Sequence, residues 1–289
     1  MSVVRPAVTN AMTIDVEDYF HVTAFSSDVD RNRWSTMESR VERNTERLLA
    51  LFAEHGVRAT FFVLGWVAER YPHIVRKLQA GGHEIACHGL THELIYKQTP
   101  AKFREETIRA KALLEDQAGT VVKGYRAATY SIVQQSMWAL DILEELGFQY
   151  DSSIFPVRHD LYGVPDAPRT PYRVASGKLL EIPLTTVEVA GQRFPCGGGG
   201  YFRLLPYGLF RWALRRVNER DRIPAIFYSH PWEIDPEQPR IEGASLKSRF
   251  RHYTNLEATE ERLTRLLKDF RWGRMDEVFG FASVTRAAA

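Results

Sequence analysis

The 289-residue chain has two cysteines, Cys87 and Cys196, too few for a disulfide framework. It contains no apolar run near the roughly 18 residues of a membrane span. The stretch Met1-Ser2-Val3-Val4-Arg5-Pro6-Ala7-Val8 also lacks the continuous apolar core of a secretory signal. A cytoplasmic protein that meets a membrane only at its surface is therefore expected. An excess of one charge is missing too. The 38 Lys and Arg against 36 Asp and Glu leave +2, which gives nucleic acid no electrostatic footprint. No internal repeat and no linker divides the chain, so residues 1–289 are expected to form a single domain. What is plentiful is apolar side chain: at 44% hydrophobic the chain can bury a full core.

Short apolar runs alternate with longer amphipathic ones. Strands are predicted at Ala11–Val16, Ala59–Leu64, His83–Cys87, Val122–Arg126, Phe148–Asp151, Leu179–Ile182 and Ala225–Ser229. Helices are predicted at Met37–His55, Trp66–Ala80, Pro100–Gln117, Gln134–Leu146, Tyr207–Glu219 and Leu256–Lys268. Gly56, Gly81-Gly82, Gly119 and Gly147 supply helix stops. The alternation predicts an α/β fold with parallel strands, and about seven of them favour a distorted (β/α) barrel over an open sheet.

In such barrels the chemistry sits at the C-terminal strand ends. Asp15, Glu17 and Asp18 end the first strand, and His88 and His92 follow the third. Arg126, Asp151 and His230 end the fourth, fifth and seventh. Two imidazoles four residues apart suit one divalent metal, and a carboxylate among apolar residues is costly without a partner. Arg126 is either a structural salt-bridge partner or a group that orients the catalytic Asp by bidentate hydrogen bonding, readings that converge if its partner is Asp15, and Asp151 is either a turn cap or a site residue. Trp232, Tyr201 and Tyr130 could form a wall for a sugar, and Glu233 could tune His230. The run Cys196-Gly197-Gly198-Gly199-Gly200-Tyr201 lacks the Gly-Lys-Ser/Thr ending of a phosphate loop, which excludes that nucleotide site. It is either a flexible bend or backbone that approaches a substrate. On the Tyr207–Glu219 helix, Arg211, Arg215 and Arg216 form either a solvated face or a contact for anionic lipid.

Four motifs in order resemble the polysaccharide deacetylases of carbohydrate esterase family four, the NodB-homology domain. They are Thr13-Ile14-Asp15-Val16-Glu17-Asp18, His88-Gly89-Leu90-Thr91-His92, Arg126-Ala127-Ala128-Thr129 and Phe227-Tyr228-Ser229-His230. Ala128 stands where the family usually has proline. The Asp15-to-Phe20 form and His230-Pro231-Trp232-Glu233 are similar to a branch that accompanies exopolysaccharide and exosortase-type loci. That branch carries a C-terminal extension, here about residues 231–285, after catalytic motifs over 13–230.

The resemblance implies a role for each matching residue. Asp15 is the general base, His230 the general acid, and Arg126 the group that positions Asp15. His88 and His92 bind the metal with Glu17 or Asp18 as third ligand. The metal is expected to be zinc, with nickel, cobalt and manganese also suited to such a site. Tyr130, Tyr201, Trp232 and Asp151 are candidate substrate contacts. The implied reaction is removal of N-acetyl groups from amino sugars of a polysaccharide or its lipid-linked precursor. The alternatives are an allantoinase-like cyclic amide hydrolase and a non-catalytic glycan-binding protein. An N-acetylated glycan is the expected partner, with a possible peripheral membrane contact and no nucleic acid.

Overall fold

A computed structural model of the chain describes residues 8–174 and 177–281. Residues Met1–Ala7, which carry most of the N-terminal reading above, and the end of the extension at 282–285 lie outside the described residues.

The strands are β1 (Thr9–Val16), β2 (Thr60–Val63), β3 (Glu84–Cys87), β4 (Gly124–Tyr125), β5 (Tyr150–Asp151), β6 (Tyr172–Val174), β7 (Leu179–Glu181), β8 (Thr186–Val189), β9 (Gln192–Pro195), β10 (Ile226–Ser229) and β11 (Arg271–Gly273). All seven expected strands are among them. They lie side by side and parallel in the order β10-β1-β2-β3-β4-β5-β7. Strand β6 adds antiparallel to β7, β11 adds parallel to β1, and β8 and β9 form a separate hairpin. These last four were not anticipated, because Arg173, Glu188, Gln192, Arg193 and Arg271 leave them without a continuous apolar run.

The helices are α1 (Val41–Glu54), α2 (Gly65–Arg70), α3 (Pro72–Ala80), α4 (Pro100–Ala118), α5 (Trp138–Glu145), α6 (Gly199–Leu204), α7 (Tyr207–Arg216), α8 (Leu246–Tyr253), α9 (Leu256–Asp269) and α10 (Met275–Val278). The expected helix Trp66–Ala80 is two helices. Pro72 lacks an N–H and pushes Tyr71 out of the helical region, to φ −128° and ψ 59°.

Strand alternation separates two cores. On β1, Met12, Ile14 and Val16 face the helices, where they join Leu48, Phe61 and Leu263. Ala11 faces the interior with Phe62, Tyr150 and Tyr228. Thr13 and Asp15 follow Ala11 at two-residue spacing, which brings a carboxylate inside the barrel. A third cluster, with Tyr19, Phe20, Trp34 and Trp232, covers the C-terminal rim.

The glycine run closes the seam between β10 and the segment after β7. The Tyr228 amide donates to the Gly197 carbonyl at 2.7 Å, and Gly198 forms a parallel bridge with Tyr228. Gly198 has φ 129°, and a Cβ there would lie 2.0 Å from the Tyr228 carbonyl oxygen. The close approach at Gly197 and Gly198 is thus to neighbouring backbone, while Gly200 and Tyr201 of the same run line the cavity described below.

Candidate active site

Parallel strands deliver their C-terminal ends to one rim, so four polar ends meet there. Asp15 is 2% exposed and Arg126 0%. Arg126 Nη1 donates to Asp15 Oδ1 at 2.7 Å and to Thr13 Oγ1 at 2.8 Å, so the pairing with Asp15 is a single hydrogen bond rather than the bidentate one expected. Its remaining donors reach the Ser152 carbonyl and hydroxyl, and its guanidinium lies 4.0 Å from the centre of the Phe62 ring. A buried guanidinium with four of its N–H groups engaged fixes the orientation of the carboxylate above it.

Glu17 follows Asp15 by two residues and stays on the same side of the chain. Its Oε2 lies 2.5 Å from His92 Nε2, and its Oε1 accepts from Trp232 Nε1 at 3.3 Å. Ligand atoms of Glu17, His88 and His92 all lie within 4.8 Å of one another. The His88 Nδ1 donates to the Arg126 carbonyl at 2.9 Å, which leaves Nε2 as the ring's acceptor. Burial keeps His88 neutral by pulling it to about 4. Burial alone would raise the Glu17 carboxyl, yet the neighbouring imidazoles of His92, His230 and His88 hold it well below the usual carboxylate range. Two imidazoles and one carboxylate are a donor set that fits a divalent metal.

Asp18 is engaged elsewhere. Its carboxylate accepts from the amides of Tyr19, Arg40 and Val41 and from the Ser39 hydroxyl. Of the two alternatives for a third ligand, Glu17 is therefore the one that shares space with His88 and His92. Asp18→Asn places an amide against those donors. It is expected to destabilise the fold by about 1–3 kcal/mol while metal content is unchanged. Denaturant unfolding beside elemental analysis checks this, and metal loss at full stability would reverse the assignment.

His230 closes the site from β10. Its Nε2 lies 3.9 Å from Asp15 Oδ2 and 3.8 Å from Glu17 Oε1. Its Nδ1 is 2.7 Å from Glu233 Oε1, and Glu233 is in turn paired with Arg203 Nε at 2.6 Å. Burial pulls the imidazolium down, but the Glu233 hydrogen bond and the charges of Glu17, Glu233 and Asp15 outweigh it and raise His230 to about 9. Burial would raise Glu233, but Arg203 and His230 bring it to about 2.

Asp15, Glu17, His88, His92 and His230 line one cavity of about 420 Å³, together with Tyr130, Tyr201 and Trp232. Tyr130 is buried, and its hydroxyl has no hydrogen-bond partner among the described residues. Trp232 corrects the expectation of a sugar-stacking surface. It is 4% exposed and lies parallel to the rings of His230, at 5.1 Å, and His252, at 4.1 Å. It packs the catalytic rim instead. Asp151 does not line the cavity, so of its two readings the turn cap holds and the substrate contact does not. It is buried, accepts from the Ser153 hydroxyl and amide, and pairs with Glu181.

Three contributors escaped the sequence reading. Arg203 is buried and supports Glu233, although its sequence neighbours read only as a basic helix. His252 packs on Trp232, and nothing in its local pattern marks it. His21 accepts the Asp18 amide through Nδ1 at 2.9 Å, and its ring stacks 6.5 Å from that of His92. Its signal was the Asp-x-x-His spacing of a capping box, Asp18 to His21.

Residues 29–150 match the family model described as polysaccharide deacetylase, and residues 152–280 match a domain of unknown function, DUF3473. A chitooligosaccharide deacetylase of Bradyrhizobium sp. (strain ANU 289) is 30% identical over 99 residues, 34% of this chain and 43% of that protein. The alignment thus spans less than half the length of that curated relative. A polysaccharide deacetylase candidate from Mycobacterium smegmatis shares the fold with a TM-score of 0.61 at 21% identity, covering 99% of this chain and 98% of that one. The PuuE allantoinase shares it with a TM-score of 0.58 at 18% identity, over 99% and 96% of the two chains.

Proposed function

We propose, from the match of residues 29–150 to the polysaccharide deacetylase family model and from the site geometry, a metal-dependent hydrolase that removes N-acetyl groups from the amino sugars of a glycan. The glycan is a polysaccharide or its lipid-linked precursor, handled in the cytoplasm during exopolysaccharide biosynthesis. The observation that carries this reading is the Glu17, His88 and His92 trio in the same cavity as Asp15 and His230. The fold by itself is neutral, because an allantoinase shares it.

A divalent metal held by Glu17, His88 and His92, with zinc favoured, would polarise the acetyl carbonyl and make a neighbouring water acidic. Asp15 takes the proton from the water as its oxygen bonds to the acetyl carbon. Arg126 holds Asp15 in place through its hydrogen bond to Oδ1. His230 Nε2 delivers a proton to the sugar nitrogen as the C–N bond breaks, which releases acetate and the free amine. Tyr130 and Tyr201 contact the sugar from the cavity wall.

The test is acetate release from N-acetylglucosamine oligomers by the metal-loaded protein, beside allantoin as competing substrate. Acetate release supports the proposal, and turnover of allantoin alone would replace it. The acid role also has a pH signature. Activity falls as His230 loses its proton, so the alkaline limb follows the His230 pKa. Glu233→Gln removes an anionic partner, lowers that pKa, and is expected to move the alkaline limb of kcat/KM to lower pH. An unmoved limb would exclude His230 as the titrating acid.

A further inference from the structure

We infer that α8 is a docking helix that seats the mouth of the cavity on an anionic bilayer. This rests on the deacetylase reading and adds to it where the substrate is met. Leu246 is 84% exposed and Phe250 59%, and a spacing of four residues puts both on one helix face. Lys247, Arg249 and Arg251 are exposed around them, and no acid occurs within the helix. Asp160 contacts two of these cations, Lys247 at 2.9 Å and Arg251 at 3.5 Å, so three cations face one anion.

The opposite face is anchored to the catalytic rim. His252 is buried against Trp232, and Arg203 holds the carbonyls of Arg251 and His252. The helix is therefore a fixed part of the site rather than a loose appendage. Phe250 and the half-exposed Leu204 belong both to the outer surface and to the cavity wall. An apolar path thus runs from the exposed helix face into the site.

Charge complementarity selects the occupant. Apolar anchors ringed by cations match anionic headgroups above an acyl layer. A neutral glycan has no use for the cations, and three apolar side chains, Leu246, Phe250 and Leu204, fall far short of the apolar core of a stable protein interface. The helix α7, first expected to serve this role, exposes Leu209 and Trp212 but contributes no residue to the cavity wall, so it is less suited. Its Arg211 pairs with Asp269 at 2.9 Å, and its Arg216 donates to the Glu188 carbonyl.

The experiment is co-sedimentation of the full chain with phosphatidylcholine vesicles, with and without phosphatidylglycerol. Binding is expected only with phosphatidylglycerol, and Leu246→Asp/Arg249→Glu should weaken it about tenfold or more. Acetate release from soluble N-acetylglucosamine oligomers should stay at the wild-type rate in that variant. Equal binding to both vesicle types, no binding, or a loss caused by Arg215→Glu but not by the α8 variant would overturn the docking role. Self-association that the α8 variant abolishes, without vesicle binding, would assign the patch to a second copy and also overturn it. An inactive wild type that still binds anionic vesicles would sink the deacetylase reading and leave the docking surface standing.

Discussion

Asp15→Asn is expected to lower kcat for acetate release by about 10²–10⁴-fold, the range of a lost general base. The substitution keeps the shape and an oxygen for the Arg126 hydrogen bond, and removes the basicity. It also leaves a fully buried guanidinium without its counter-charge, and broken buried pairs cost about 3–5 kcal/mol. Retained bonds from Arg126 to Thr13 and Ser152 reduce that cost. The assay therefore belongs well below the melting temperature of the variant, established by a thermal scan. Metal content should equal wild type, because Asp15 is outside the trio. Full turnover by the folded, metal-loaded variant would remove Asp15 from the base role.

His88→Ala/His92→Ala is expected to abolish both metal binding and acetate release. Elemental analysis should find about one equivalent in the wild type, as for a site with one ligand trio, and none in the double variant. Both rings are buried, so their removal also leaves space in the rim and lowers stability. Chelation of the wild type separates the two effects, since it removes the ion without touching the packing. Activity lost to a chelator and restored by added metal supports the trio as the working site. A wild type that stays metal-free after reconstitution and still releases acetate would refute it.

Much of this architecture was readable in advance because its causes are local. The seven parallel strands follow from apolar runs a few residues long, and the helix stops follow from glycine. The polar residues that close those runs meet because parallel strands point the same way. The choice between Glu17 and Asp18 was legible too, had the two-residue alternation of β1 been carried one step past Val16. It puts Glu17 beside Asp15 and turns Asp18 toward Ser39, Arg40 and Val41. Asp151 and Trp232 misled for a different reason. Residue type announces that a carboxylate or an indole needs partners, and it does not say whether a ligand or the protein supplies them. The protein supplies Ser153 and Glu181 to the first, and His230 and His252 to the second.

The sequence by itself determined the fold class, the seven parallel strands and most of the groups that could do chemistry. Each of these depends on periodicity, turn residues and side-chain type within a short window. The tertiary structure alone decided which groups converge, which are already satisfied and which surface is left open. Glu17 meets Trp232 across 215 residues, and Arg203 supports Glu233 across 30. Contacts of that range depend on how distant segments fill the same space, and no local pattern encodes that geometry. The exposed face of α8 belongs to the same class, since its composition reads as ordinary surface until packing places it at the cavity mouth.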